Sequence, residues 1–190
     1  FASIDSSSEI KNVGLENINI TGKMYVGGLV GSNLGTINDS YAKGFVRSIS
    51  YYVGGLAGYN GGTIEHSYFI GEVNSTSDMV GGLVGRNIGS VTTIAKILQS
   101  YTDVNVSGRY KVGGLVGSNN GGHSAPSVII NSYAMGNVKG VHTVSYPEYI
   151  GGLVGSNYGL SSQPYTAYIN NSYSGATVSC QGGSGGCSYV

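Results

Sequence analysis

Apolar residues in this chain recur in two short phrases rather than at helical spacing. The first runs Val26-Gly27-Gly28-Leu29-Val30-Gly31-Ser32-Asn33 and returns, little changed, from Val53 to Asn60, Val80 to Asn87, Val112 to Asn119 and Ile150 to Asn157. The second joins an Ile to a Ser-Tyr pair: Ile37 with Ser40-Tyr41, Ile64 with Ser67-Tyr68, Ile97 with Ser100-Tyr101, Ile129 with Ser132-Tyr133 and Ile169 with Ser172-Tyr173. After each Ser-Tyr, small or apolar residues alternate with variable, often polar ones. Ser40, Ala42, Gly44 and Val46 share one parity; Tyr41, Lys43 and Phe45 share the other. The equivalent inward sets end on Val73, Val106, Val138 and Val178. Successive side chains of a strand point to opposite faces, so this pattern predicts half-buried β-strands. No segment sustains i, i+3, i+4 spacing, and each interior glycine would cost a helix about 1 kcal/mol.

The first phrase starts at Val26, Val53, Val80, Val112 and Ile150, so its spacings are 27, 27, 32 and 38. A fixed period of this size marks a stack in which each unit buries its apolar face against its neighbours. A propeller blade needs four strands in roughly 40–50 residues, which is longer than the basic unit. The expected fold is therefore all-β: a parallel β-solenoid (β-helix) of about five three-sided coils, right-handed by the general crossover preference. Residues 1–25 are expected to form an N-terminal cap and degenerate first coil, residues 26–178 the repeats, and residues 179–190 a C-terminal tail.

Parity assigns the columns. Tyr41, Tyr68, Tyr101, Tyr133 and Tyr173 are predicted to stack as an exposed ladder, with each Ile across a bend from its Ser. In the rival arrangement Ile and Tyr both point inward, carrying Asp39 and His66 with them, which is costly without partners. The Asn closing each first phrase (Asn33, Asn60, Asn87, Asn119, Asn157) precedes a Gly by two residues. Asn tolerates left-handed backbone and bonds its local main chain, so Asn-x-Gly reads as a coil corner. Stacked Asn can also form an amide ladder.

Composition narrows the class. Charged residues are 9% of the chain and the net charge is zero, so clustered Lys and Arg for nucleic acid are absent and no partner of that kind is expected. No apolar run is long enough for a membrane-spanning helix, and no signal-peptide pattern is present. A chain opening on Phe1 is expected to be a processed product or a piece of something longer. Cys180 and Cys187 flank a Gly/Ser-rich linker and are expected to pair, implying an oxidising, extracellular setting. Free thiols are the alternative; a metal site is disfavoured because no His lies near. Sequons at Asn19, Asn38, Asn74, Asn105 and Asn170 permit glycosylation, although an Asn/Ser/Thr-rich β-protein produces them by chance.

The repeat is broken at residues 88–96, 120–128 and 158–168, all between the corner Asn and the next Ile. Insertions at one corner should gather into one patch, and such faces commonly bind. This patch carries His123, Tyr158, Tyr165 and Tyr168 and suits a polar ligand such as a glycan; tolerated loop variation explains it equally well. A further insertion, 139–149, falls at a different corner. For catalysis, Asp39, Glu65 and His66 alone draw together from neighbouring columns, and no zinc helix, nucleophile elbow or phosphate loop is present. No catalytic residue, cofactor or metal is therefore expected. Ice binding needs a regular Thr array, and the column of Thr36 and Thr63 stops there.

The recurring Gly-Leu-Val-Gly core, at 28–31, 55–58, 82–85, 114–117 and 152–155, resembles the GLUG motif of bacterial surface proteins, including adhesin-like proteins and M26-type immunoglobulin A peptidases. The resemblance implies an extracellular β-solenoid module beside other domains; it transfers no peptidase activity, because the zinc motif is missing. The expected role is non-enzymatic and structural or adhesive, at the cell surface or outside the cell, within a larger surface protein. The alternatives are a self-assembling filament subunit, a glycan-binding module and, most weakly, a polysaccharide-active β-helix enzyme.

Overall fold

The computed structural model describes residues 1–122, 124–141, 149–159, 166–181 and 188–189, the last two by backbone alone. Every regular element among them is a strand, and every pairing is parallel. The strands form four sheets, three of six strands and one of seven, each running coil by coil along the stack. The chain is a parallel β-solenoid.

Each coil visits the four sheets in turn, named here by their repeating residue. A Val strand (Val26–Gly27 in the first full repeat) leads into an Asn strand (Val30–Asn33). An Ile strand (Thr36–Asn38) and the long Tyr strand (Tyr41–Ser48) follow. Residues 1–22 supply strands to three of these sheets, so a sixth layer underlies the five phrase-bearing ones. Ile10 pairs with Ile37, and Gly14 with Tyr41.

The coil has four strands rather than the three expected. Val-Gly-Gly-Leu-Val-Gly bends at its centre, and the axial hydrogen bonds continue through the bend. Gly28 N–H donates to Gly55 O (2.9 Å) and Leu29 N–H to Leu56 O (3.0 Å). The two legs nearly touch: a Cβ on Gly27 would lie 2.1 Å from the Val30 carbonyl oxygen, and one on Gly31 2.7 Å from that of Tyr25. Both contacts are with backbone, which cannot yield. Glycine is needed here because the main chain passes where a side chain would start.

At the apex Leu29, Leu56, Leu83 and Leu115 are fully buried. They meet the Ile column (Ile37, Ile64, Ile97, Ile129) and one Val column of the Tyr strands (Val46, Val73, Val106, Val138) in one continuous core. Each fully buried Leu or Ile contributes about 1.5–3 kcal/mol over an exposed one, so the stack is held chiefly by these columns. Phe69 occupies the slot that holds Ala42, Thr102 or Ala134 in neighbouring coils; its ring lies 2.1 Å from where a Gly55 Cβ would be.

The bend between Ile and Ser is sharp because one residue adopts left-handed backbone. Asp39, His66, Gln99, Asn131 and Asn171 have φ between 46° and 52°. This turn puts Ile and Ser on the core side and leaves Asp39 and His66 outside, so the rival with both Ile and Tyr inward does not form.

Candidate functional site

Three ladders follow from this register. In the first, the Tyr rings stack nearly parallel. Centroid spacings are 4.8 Å for Tyr41–Tyr68 and Tyr68–Tyr101, 5.0 Å for Tyr101–Tyr133 and 5.2 Å for Tyr133–Tyr173, with interplanar angles of 5–12°. Tyr41 to Tyr133 are half-buried and Tyr173 is exposed. Each inner ring covers its neighbour's face, so the ladder presents ring edges and hydroxyls to solvent rather than flat faces for a sugar.

At the ladder's base, Gly14 makes room for the Tyr41 ring, which would lie 2.5 Å from a Cβ there. Glu16 and Lys43 form an ion pair at 3.0 Å across the same rung. A hydrogen bond to the Glu16 carboxylate holds the Tyr41 phenol above its ordinary pKa; the Lys43 and Tyr41 hydrogen bonds hold Glu16 below its own. Higher in the stack, burial raises the Tyr101 phenol.

The second ladder runs through the Ser beside each Tyr. Ser67 Oγ donates to Glu65 O (2.7 Å) in its own coil and accepts from Ser40 N–H (3.1 Å) in the coil below. Ser100, Ser132 and Ser172 repeat both contacts. One hydroxyl thus accepts the Ser N–H that the left-handed bend takes out of backbone pairing, and adds a second donor to a carbonyl that already accepts from the coil below, as Glu65 O does from Asp39 N–H at 3.2 Å.

The third is the amide ladder. Asn33 Nδ2 donates to Asn60 Oδ1 (2.6 Å), Asn60 to Asn87 (2.7 Å), Asn87 to Asn119 (2.8 Å) and Asn119 to Asn157 (2.7 Å). Asn33 to Asn119 are fully buried. None of these Asn has positive φ; the corner is turned instead by the side chain, as Asn33 Oδ1 accepts Gly35 N–H at 3.1 Å. Every Asn column residue is therefore engaged in holding the stack.

The long loops all join Asn strands to Ile strands, between Val84–Ile88 and Ala95–Leu98, Val116–Asn120 and Ser127–Ile130, and Val154–Tyr158 and Ala167–Asn170. The first two pack on one another: a Cβ on Gly122 would lie 1.9 Å from Gly89 O. Of the expected ligand patch, Tyr158 ends its strand beneath the Lys111 ammonium (4.8 Å from the ring centroid), and Tyr168 stands exposed on the Ile sheet. His123 and Tyr165 lie outside the described residues, as do Cys187 of the expected disulfide and positions 142–148 of the further insertion.

Asp39 and His66 approach to 3.9 Å (Oδ1 to Nδ1) at the exposed bend, with Glu65 adjoining in sequence. One cluster was missed in the sequence. Tyr25, Tyr52 and Tyr59 group within 5.0–6.5 Å where the start of the Val strand runs beside the Asn strand, and Arg86 Nη1 donates to the Tyr52 hydroxyl at 3.1 Å. Tyr25 and Tyr52 have φ of 54° and 62°, as do Met79 and Lys111 nearby at 58° and 54°. These four side-chain-bearing residues each immediately precede the Val that opens the phrase, and nothing in their residue types signals positive φ.

These features define a repeat protein whose coils are joined by core columns and hydrogen-bonded ladders. The GLUG motif matches at residues 22–50 and 49–74, two adjacent repeats. The chain carries GLUG repeats on a β-solenoid, and the same phrase continues at 80–87, 112–119 and 150–157. Comparison with curated proteins and with solved structures gives no significant match.

Proposed function

We propose that the chain is a non-enzymatic structural and adhesive module of an extracellular surface protein. The observation behind this reading is the division of labour between inside and outside. Invariant columns (Leu, Ile, Ser, Asn) join coil to coil, while corner length and outward side chains vary from one coil to the next. Such a rod tolerates surface change without losing its register, which suits a spacer or a contact surface. The direct test coats beads with the purified chain and measures retention on cells and extracellular matrix under flow. Retention above that of beads carrying an inert protein supports adhesion; none leaves the spacer role. A screen on polysaccharides that found turnover abolished by Glu65→Ala would overturn the non-enzymatic reading.

A second reading, a self-assembling subunit, is favoured by one observation. Leu153, Val154, Ile169, Ala176 and Val178 are less buried than their counterparts below and border an open depression of about 970 Å³, which a second copy would cover in this reading and a further coil would cover in a longer chain. Light scattering over a wide concentration range tests it, since end-to-end association would raise the mass with concentration.

A further inference from the structure

The corners between Tyr and Val strands differ in length. Tyr41–Ser48 leads to Val53–Gly54 through residues 49–52. Tyr68–Ser75 reaches Asp78–Gly81 through 76–77, and Tyr101–Gly108 reaches Tyr110–Gly113 through Arg109 alone. The corners thus shorten from coil to coil along this part of the stack. Beside them lies a cleft of about 440 Å³, with Ile49 and Val141 three coils apart at its ends. Sites for small ligands occupy a similar volume.

Its chemistry is specific. Most of the lining is apolar: Ile49, Val141 and the hydrocarbon parts of Thr and Arg. Arg47 and Arg109 both line it, with their guanidinium groups at its margin, over Phe45 and on Asp78. Asp78 fixes Arg109 through one edge, with Oδ1 accepting from Nε at 3.3 Å and Nη2 at 3.0 Å, so Nη1 is left for a ligand. Arg47 lies with its guanidinium carbon 5.7 Å from the Phe45 ring centroid and joins no ion pair among the described residues. The nearby acid on the Tyr sheet, Glu72, accepts from Asn74 Nδ2, whose residue also lines the cleft. Ser107 adds a hydroxyl.

We propose that this cleft binds a carboxylate-bearing sugar residue, such as a uronic or sialic acid within a glycan. A pyranose ring presents a C–H face to the apolar lining, and its carboxylate meets the free guanidinium of Arg47 in the planar, two-pronged geometry that arginine favours. Arg109, held by Asp78, serves as a pre-oriented second donor, and Ser107 and Asn74 meet ring hydroxyls. The proposal stands apart from the adhesive reading, since the cleft has the same chemistry on a spacer or a filament subunit.

The test is an amide NMR titration of the full chain with methyl β-D-glucuronide and the methyl glycoside of N-acetylneuraminic acid. Methyl β-D-glucopyranoside and acetate are run in parallel. Saturable shifts confined to residues 47–49, 74–76 and 107–109, with affinity at least tenfold better for a carboxylated sugar than for the neutral one, are the expected result. Arg47→Gln should weaken binding about tenfold and Lys96→Ala, on the Ile sheet, should leave it unchanged. Equal binding of the neutral sugar, equal binding of acetate, shifts that map elsewhere, or no shift with either acid would overturn the proposal. Arg47 is exposed, so loss of fold is not expected to intervene.

Discussion

Replacing Asn60 by Asp changes one nitrogen to oxygen at the centre of the amide ladder. Asn60 Nδ2 donates to Asn87 Oδ1 at 2.7 Å, Lys96 O at 3.2 Å and Gly62 O at 3.3 Å, and the side chain is fully buried. A protonated carboxyl can replace one of these donations, so the acid form should lose about 1–2 kcal/mol. The ionised form points a charged oxygen at three acceptors inside the protein. Burial and those oxygens favour the neutral form, so the folded-state pKa lies above the unfolded value of about 3.9. A rise of about 3 units would add about 4 kcal/mol of destabilisation at neutral pH. The sign follows from that direction: the added penalty is absent below the unfolded pKa, grows as pH rises towards the folded pKa, and is complete above it. Urea unfolding of Asn60→Asp and the unaltered chain, followed by far-UV circular dichroism at pH 3.5 and 7.5, measures both parts. The variant should lie close to the parent at the lower pH and far below it at the higher. A gap that is equal at the two pH values would refute the reasoning, because it would mean that the new carboxyl ionises as readily in the folded chain as in the unfolded one.

Other outcomes follow from the same geometry. Ser67→Ala removes the acceptor of Ser40 N–H and the donor to Glu65 O, and should cost about 1–3 kcal/mol in chemical unfolding. Gly58→Ala places a Cβ 2.6 Å from the Tyr25 carbonyl carbon and the Val26 nitrogen, so a loss of at least about 1–3 kcal/mol is expected from thermal melts. Gln99→Gly relieves left-handed strain at φ 46°, worth about 1–2 kcal/mol, against about 0.5–1 kcal/mol of added chain entropy; a small net gain in stability is expected. Glu16→Gln removes the hydrogen-bonded carboxylate beside Tyr41, so that phenol should ionise at lower pH, as read by NMR of a ring-labelled sample.

Much of the fold was legible because a coil repeats its own errors and constraints. Equal spacing fixed the register that sets Ile37 on Ile64 and Tyr41 on Tyr68, and parity separated Val46 from Phe45. The bend after Ile was required by that parity, yet His66 and Gln99 carry no sign of left-handed backbone; neighbouring coils impose it. The fourth strand was hidden for a different reason. A strand as short as Val26–Gly27 has no alternation to read, and Gly-Gly fits a corner and an extended leg alike. Candidate sites divide in the same way. Loops grouped at one corner can be read from lengths alone, and Asp39 and His66 from their columns. The cleft between Arg47 and Arg109 cannot, because it depends on which corners are short and on how distant corners align in the stack.

All four amide bonds of the Asn ladder point the same way, each nitrogen donating to the oxygen of the coil that follows it in the chain. A ribosome releases the coils in that same order. When one coil has folded, its Asn already holds out a donor, and the next stretch of chain brings the matching acceptor. Folding can thus advance as a ratchet, each layer templating the one behind it. A stalled or truncated chain would end on an amide still waiting for its partner. Direction is written into the stack, so extension at one end is chemically different from extension at the other.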